Sequence, residues 1–504
     1  MKPEDIIDAM NSIDNNAVFE AQEMRKQKKK GKSWIKWVAV AACFCLVIGA
    51  VLGHFHFKPS NVTDPTTQPS TLIQNIPPVK NPFAISNAVY PDMLKIPSEA
   101  DFTDENGNVD WVVYSDAFSI WSKECNARKN NSVSAANYSN FFNTTTKKFF
   151  ADTKGENLVY SPVNVYLALC MLAESTGGQS RQQILDLLGA GSVEELRSNA
   201  NKLWMSNYAN DGVKTNILAN SVWLSDSLKY NKPTLDILAN NYYASSFSGA
   251  MGSPDYTKAL QNWLNEQTGG LLEEQSGAIE LSPDTLFSLA STVYFNGRWE
   301  SEFPEHLTKA DTFHAVKGSQ TIDFMYQRLD GKPFYTDDNY SATYLDFQNG
   351  GKMWLILPDA GNSPESLIQN GSINSILNGS TPKNKQNNVL INVFMPKFDV
   401  VSSINLNEYI EALGVKDVFY STKADFSPIL AESRPAYVSE INHSARVTVD
   451  EKGCTAAAFT VIAAEGVMVP EGQEIYFRLD RPFLFVITSD DSTPLFVGVV
   501  NNVE

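Results

Sequence analysis

Apolar residues recur three and four apart through Ile6, Ile7, Met10, Ile13 and Val18, a spacing that lays them along one side of a helix. A denser pattern follows. From Trp37 to Gly53 run 17 uncharged, mostly apolar residues, extendable through Trp34 and Phe55 and near the short limit for a bilayer-crossing helix. Arg25, Lys26, Lys28, Lys29, Lys30, Lys32 and Lys36 precede this run, and only Lys58 follows closely. Cationic flanks stay on the cytoplasmic side, so the pattern predicts a basic cytoplasmic head at 1–33 and a single membrane span at 34–57, with the rest of the chain extracellular. Secretion after signal cleavage is the alternative, opposed by Glu4, Asp5, Asp8, Asp14, Glu20 and Glu23, which are unlike a short basic leader.

The stretch 58–82 is rich in Pro, Thr, Ser and Asn and reads as an extended linker. Tyr90, Phe102, Trp111, Tyr114, Phe118 and Trp121 are then too many aromatics for a free tether. Residues 83–132 are therefore expected to pack, as an added helical segment, on a large domain at 133–504. Within that domain a helical pattern through Leu167, Leu172, Ile184, Leu187 and Leu188 closes at Gly189.

Late in the chain the pattern inverts. Between Asp450 and Pro470, Gly453 is followed by Cys454, Thr455, Ala456, Ala457, Ala458, Phe459, Thr460, Val461, Ile462, Ala463 and Ala464, a small and apolar run where a surface connection would use Gly, Pro, Asn, Asp and Ser. Residues of this size fit either a loop or the middle of a sheet. As a strand, the run would place Cys454, Ala456, Ala458, Thr460 and Ile462 on one face and Thr455, Ala457, Phe459 and Val461 on the other.

Several motifs stand in a fixed order around this segment. Asn157-Leu158-Val159-Tyr160-Ser161-Pro162-Val163 comes first, then Ala219-Asn220-Ser221-Val222-Trp223, then Asn262-Trp263 with Thr268-Gly269. Tyr294-Phe295-Asn296-Gly297-Arg298-Trp299-Glu300 is followed by Phe303, Thr308 and Phe313. Met395-Pro396-Lys397-Phe398, Leu413-Gly414, Ala424-Asp425-Phe426-Ser427, Arg481-Pro482-Phe483-Leu484-Phe485 and Leu495-Phe496-Val497-Gly498 complete the series. From about Asn137 to Asn502 the chain resembles the serpins, and with its anchor it resembles bacterial, membrane-anchored members that inhibit elastases.

The resemblance implies a mixed α+β fold with three β-sheets, about eight or nine helices, and an exposed reactive-centre loop able to enter the largest sheet. It implies irreversible, suicide-substrate inhibition: a serine protease cuts the loop, forms its acyl-enzyme, and is trapped as the loop inserts. The hinge of that movement would be Glu451, Gly453, Cys454, Thr455, Ala456, Ala457 and Ala458. Sheet opening would be controlled by Ser161, Asn164, Thr292, His443 and Trp299. Counting from Glu451 by the family's spacing puts the reactive bond at Val467-Met468; counting back from Phe477 and Pro482 gives Met468-Val469. No Lys or Arg lies between Gly453 and Glu474, so the partner is a serine protease with an apolar specificity pocket, elastase-like, proteinase-3-like or subtilisin-like. The alternative is a non-inhibitory member acting as substrate, chaperone or binding protein.

Composition narrows the remaining classes. The chain has 504 residues and a formal charge of −17 although its N-terminal region is basic, so the large domain is acidic and unsuited to nucleic acid. No His-Glu-x-x-His, Gly-x-Ser-x-Gly or glycine-rich phosphate loop is present. The expectation is therefore a monomer that is not an enzyme and uses no cofactor or metal.

Overall fold

The computed structural model describes residues 81–91, 95–105, 107–130, 134–210, 215–277, 279–283, 285–348, 350–454 and 473–503. The expected head, span and nearly all of the linker lie outside the described residues. Among the described residues no helix is long and apolar enough to cross a membrane.

The largest sheet is built around two long strands buried along most of their length, Thr215–Ser225 and Phe287–Arg298. Its order is β1 (Ala84–Ser86), β5 (Ala244–Gly249), β4 (Thr215–Ser225), β6 (Phe287–Arg298), β16 (Gly453–Cys454), β15 (Val438–Val449) and β14 (Phe398–Asn405), with β3 (Ala209–Asn210) paired to β4. A second sheet runs β12 (Lys385–Gln386), β9 (Phe334–Thr336), β10 (Tyr340–Asp346), β11 (Lys352–Pro358), β18 (Phe483–Thr488), β19 (Pro494–Val500) and β2 (Leu158–Tyr160). A third runs β17 (Gln473–Arg478), β13 (Val389–Pro396), β8 (Gly318–Asp330) and β7 (Lys309–Ala315). Three sheets in a mixed fold are what the resemblance implies.

The described residues form eleven α-helices, more than the eight or nine expected. In chain order they are α1 (Trp111–Asn130), α2 (Ser139–Phe149), α3 (Pro162–Ser175), α4 (Gly178–Leu188), α5 (Val193–Asn207), α6 (Lys232–Asn241), α7 (Pro254–Gln267), α8 (Glu273–Gly277), α9 (Pro364–Gln369), α10 (Asn374–Leu377) and α11 (Asn407–Ala412). The surplus comes from α1, which precedes the family-like region, and from segments such as α8 and α10 that are too short to show a periodicity.

Two layers enclose the large sheet. Every residue of α3 is buried, so it is apolar nearly all round and lies in the main core. On the opposite face, Tyr256, Leu260, Trp263 and Leu264 of α7 pack on Ile217, Ala219, Trp223, Phe247 and Ala290. The segment before α1 contributes a strand as well as a helix. Ala84 and Ser86 pair with Phe247 and Ser246 at the sheet edge, and the Phe83 ring meets Tyr256 edge-on at 4.9 Å. Three residues are too few for alternation to announce a strand; the partner at the sheet edge decides it.

Candidate functional site

The site begins where β15 ends. Asp450 closes a tight turn: its carboxylate accepts the amides of Lys452 and Gly453 at 2.8 and 3.1 Å, and its own amide donates to the Gly453 carbonyl at 3.0 Å. The turn is clasped from outside. The Trp299 amide donates to Lys452 O, its indole Nε1 to Asp450 O, and the Phe303 amide to Glu451 O, at 3.0, 3.0 and 2.9 Å. Trp299 is itself held by stacking on Phe347, with ring centroids 4.8 Å apart.

Glu451 is 8% exposed, and its Oε1 accepts from Lys397 Nζ at 2.9 Å and Thr308 Oγ1 at 2.8 Å. Burial alone would raise this carboxyl, but the bonds from Lys397 and Thr308 outweigh it and hold it below the ordinary carboxylate value. The Lys397 ammonium is correspondingly raised against its own desolvation.

Gly453 is required by close approach. A Cβ there would sit 2.3 Å from the Gly297 carbonyl oxygen and 2.9 Å from Arg298 Cα, both backbone atoms that cannot step aside. Beyond it, Cys454 pairs with Gly297 of β6 on one side and Val449 of β15 on the other. The side chain is 1% exposed within the main core, where burial pushes the thiol up. The chain after β15 therefore re-enters the large sheet as a two-residue strand. Thr455, Ala456, Ala457 and Ala458 of the expected hinge, and the bond Val467-Met468, lie outside the described residues.

Farther along, β6 and β15 pair directly, in parallel, from Phe287 and Val438 to Ser291 and His443. Among the described residues this ladder stops there, and the two strands are joined again only through Gly453 and Cys454. The stopping point is a buried polar cluster. The Ser161 amide donates to His443 Nε2 at 3.1 Å, and Ser161 Oγ caps α3 by accepting the Asn164 amide at 3.4 Å. Asn164 Nδ2 donates to Ser291 O at 3.0 Å, while the Ser291 hydroxyl lies against Asn164 Oδ1 and Asn220 Oδ1. Asn220 Nδ2 continues to Tyr242 O at 2.9 Å. Complete burial pushes the His443 pKa down to about 4, and accepting a backbone N–H at Nε2 requires the neutral ring.

Thr292 does not belong to this cluster. Its neighbour two residues back, Ala290, and its register partner, Ala219, both pack on the α7 side, so Thr292 faces α7 and its hydroxyl has no partner. Ser291, one residue earlier, occupies the place expected of it. Two cavities of about 10 Å³ each flank the ladder's end, one lined by Leu260, Leu264 and Ser444 and the other by Asn164, Ala168 and His443. Each has room for about one water.

The residues thus gather in two places. Glu451, Gly453, Cys454 and Trp299 meet at the mouth, joined by Lys397 and Thr308, which stand in the motif series but carry no visible sign of their role. Ser161, Asn164 and His443 meet at the ladder's end with Ser291 and Asn220, whose part depends on a strand register that no local pattern reveals. Among the described residues no group of three or more His, Cys, Asp or Glu is placed to hold a metal.

Comparison with known proteins gives one consistent result. The family model "Serpin (serine protease inhibitor)" matches residues 136–503. Serpin-Z2A of Triticum aestivum is 29% identical over 370 residues, covering 70% of this chain and 91% of the relative. Alpha-1-antiproteinase of Rattus norvegicus is 27% identical over 378 residues, covering 73% and 88%. Among solved structures, the thermophilic serpin tengpin in its native state superposes with a TM-score of 0.65 at 26% identity, covering 73% of this chain and 94% of its own.

Proposed function

The chain belongs to the serpin family by its match over residues 136–503, and on that premise we propose that it is an irreversible suicide-substrate inhibitor of elastase-like serine proteases. One observation supports this most directly: Cys454 already pairs between β6 and β15, in register with both. Continued along that register, Ala456 would stand opposite Phe295 and Val447, and Ala458 opposite Val293 and Ala445, all side chains of the main core. Small residues suit those positions. A charge there would carry a burial cost of several kcal/mol, roughly the scale that decides whether insertion outruns hydrolysis. Phe459 would arrive opposite Thr292 and Ser444, on the face where the cavity beside Leu260 and Leu264 lies. About a dozen inserted residues, each adding net hydrogen bonding of about 0.5–1.5 kcal/mol, supply a drive on the order of 10 kcal/mol before entropy is deducted.

In this reading the protease cuts Val467-Met468, an apolar bond without a basic neighbour, and the segment from Gly453 moves into the sheet while the acyl-enzyme is intact. The domain works outside the cell, tethered through 34–57. Incubation with an elastase-like protease tests the mechanism: a complex that survives boiling in detergent is expected, together with a C-terminal fragment whose mass begins at Met468. A cut band without complex would reduce the protein to a substrate. A cut chain that melts at the same temperature as the intact one would show that no insertion occurs.

A further inference from the structure

Large apolar side chains stand exposed singly at Val316, Val401 and Tyr420, but three in succession at the start of α1. Trp111, Val112 and Val113 are 57%, 73% and 50% exposed. Successive residues of an α-helix point about 100° apart, so the three sweep roughly 200° of its circumference, about twice the stripe that a helix hides against one neighbour. α1 already has its stripe: Tyr114, Ala117 and Trp121, spaced three and four apart, are half-buried.

The exposed turn is built to leave water. In an apolar surrounding every backbone N–H needs a partner, and a helix start has four without one. Three of them are satisfied here. Asp110 Oδ1 accepts the Val112 and Val113 amides at 3.1 and 3.2 Å, and the Asp110 amide donates to Phe102 O at 2.9 Å. The Phe102 and Trp111 rings meet Tyr114 edge-on at 5.8 and 5.7 Å and brace the turn.

A rigid protein surface covers one side of a helix, whereas a fluid closes around its end. A bilayer interface is such a fluid, and tryptophan beside aliphatic side chains is a composition it favours. Exposed Asp116 limits the depth: it stands about 7.5 Å along the helix from Trp111, a distance typical of shallow burial at the headgroups. Asp104, Glu105 and Asp110, exposed beside the turn, choose the lipid, since anionic headgroups repel them and zwitterionic ones do not. Three side chains bury less apolar surface than a single acyl chain, itself a marginal anchor. Chain length makes up the difference. Residues 58–80 are 23 in number and reach at most about 80 Å fully extended, so the domain is confined near one bilayer at an effective concentration on the order of 1 mM.

We propose that the first turn of α1, Trp111, Val112 and Val113, is a second membrane contact that enters a zwitterionic bilayer interface and fixes the inclination of the domain on it. This rests on the reading of 34–57 as a membrane span.

The test uses the full chain in phosphatidylcholine vesicles, with and without bromine on the acyl chains near the headgroup, which quenches indoles that touch it. Trp111 emission is the difference between the parent and Trp111→Phe, because Trp34 and Trp37 are common to both. Brominated lipid is expected to lower that difference about two-fold, and by less in phosphatidylglycerol. The double variant Val112→Asp, Val113→Asp, measured against its own Trp111→Phe, loses the quenching. Acidic residues in a first turn suit the helix dipole, so its melting temperature stays close to the parent's. Trp111 emission indifferent to bromine in the parent overturns the proposal, and so does quenching that survives the aspartate pair. Equal or stronger quenching in phosphatidylglycerol overturns the zwitterionic assignment. A parent dimer in detergent that the aspartate pair dissociates, with Trp111 unquenched in vesicles, would assign the turn to a second copy and also overturn it. If alkaline carbonate strips the parent from the vesicles, the span reading fails separately, and quenching before the wash then decides on the contact: a loss that the aspartate pair abolishes supports it, and no loss overturns it.

Discussion

The mouth of the large sheet and the end of the β6–β15 ladder are closed by opposite kinds of chemistry. At the mouth an ionised Glu451 is held by Lys397, whose side chain is 36% exposed, and by a ring of backbone bonds around the Asp450 turn. At the ladder's end every group in the cluster is neutral and buried, and His443 is held without a charged partner. Bulk water and salt reach the first but not the second. In the proposed insertion the loop would pass both places, so the two closures would set separate conditions on one movement. The mouth would decide whether the segment starts in register, and the ladder's end how far it travels.

The most severe way to break this division is at the start of the register. Gly453→Val would set a side chain against the Gly297 carbonyl and Arg298, an overpacking worth about 3 kcal/mol that backbone atoms cannot relieve. Cys454 should then leave the sheet. The expected result is loss of nearly all detergent-stable complex with cleavage preserved, and faster alkylation of Cys454 in the uncut protein. Full complex yield from this variant would mean that the seated Cys454 plays no part in insertion.

Acid separates the two closures next. The unfolded imidazole takes its proton near pH 6.5, but the folded His443 does so only at about 4. Between those values the unfolded state binds more protons, so the contribution of neutral His443 is complete above pH 6.5 and is lost as the pH falls to about 4, a change of about 3 kcal/mol. Glu451 behaves later: its folded value lies below 4.5, so its contribution is present above 4.5 and lost only as the pH falls through that lower value. Denaturant midpoints measured from pH 7.5 to 4.5 should therefore fall for the parent chain and stay much flatter for His443→Asn. Parallel curves for the two proteins would remove His443 from the account.

A smaller effect sharpens the mouth. Lys397→Ala takes away one of the two side-chain bonds to Glu451 but leaves Thr308, and partial exposure of the lysine screens the loss, so about 1 kcal/mol is expected. The difference from the parent should shrink in 1 M salt, roughly a three-fold shorter screening length than at 0.1 M. The same salt should leave the effect of His443→Asn in place.

Much of this was legible in the residues. The motif series from Asn157 to Gly498 carries the fold, and the glycine followed by small residues marks a segment suited to both loop and strand. What stayed hidden depends on long-range pairing. The clasp on Glu451 joins Lys397, between β13 and β14, and Thr308, just before β7, both more than 50 residues away along the chain, and nothing near either residue shows that they converge. The strand β1 was hidden because its three residues acquire their conformation from β5. Parity in β6 was hidden for the same reason: which of Ser291 and Thr292 shares a face with His443 is set by a register between strands about 150 residues apart.

That parity yields the smallest expected effect and the cleanest check on the contrast. Ser291 donates into a cluster shut off from bulk water, and Ser291→Ala would leave whichever of Asn164 Oδ1 and Asn220 Oδ1 takes its single proton short of a donor, at a cost of about 1 kcal/mol. Thr292 is nearly the same size, equally buried and adjacent in sequence, yet its hydroxyl bonds to nothing. Thr292→Val exchanges that hydroxyl for a methyl of the same shape against α7, so the unfolding midpoint should move by less than about 0.5 kcal/mol, toward greater stability if at all. Sheet opening should be equally indifferent, with the same complex yield at pH 7.5 and at 5. A loss from Thr292→Val as large as that from Ser291→Ala would mean that the threonine hydroxyl works in the sheet after all, and the polar closure would then extend through to the α7 face instead of ending beneath the ladder.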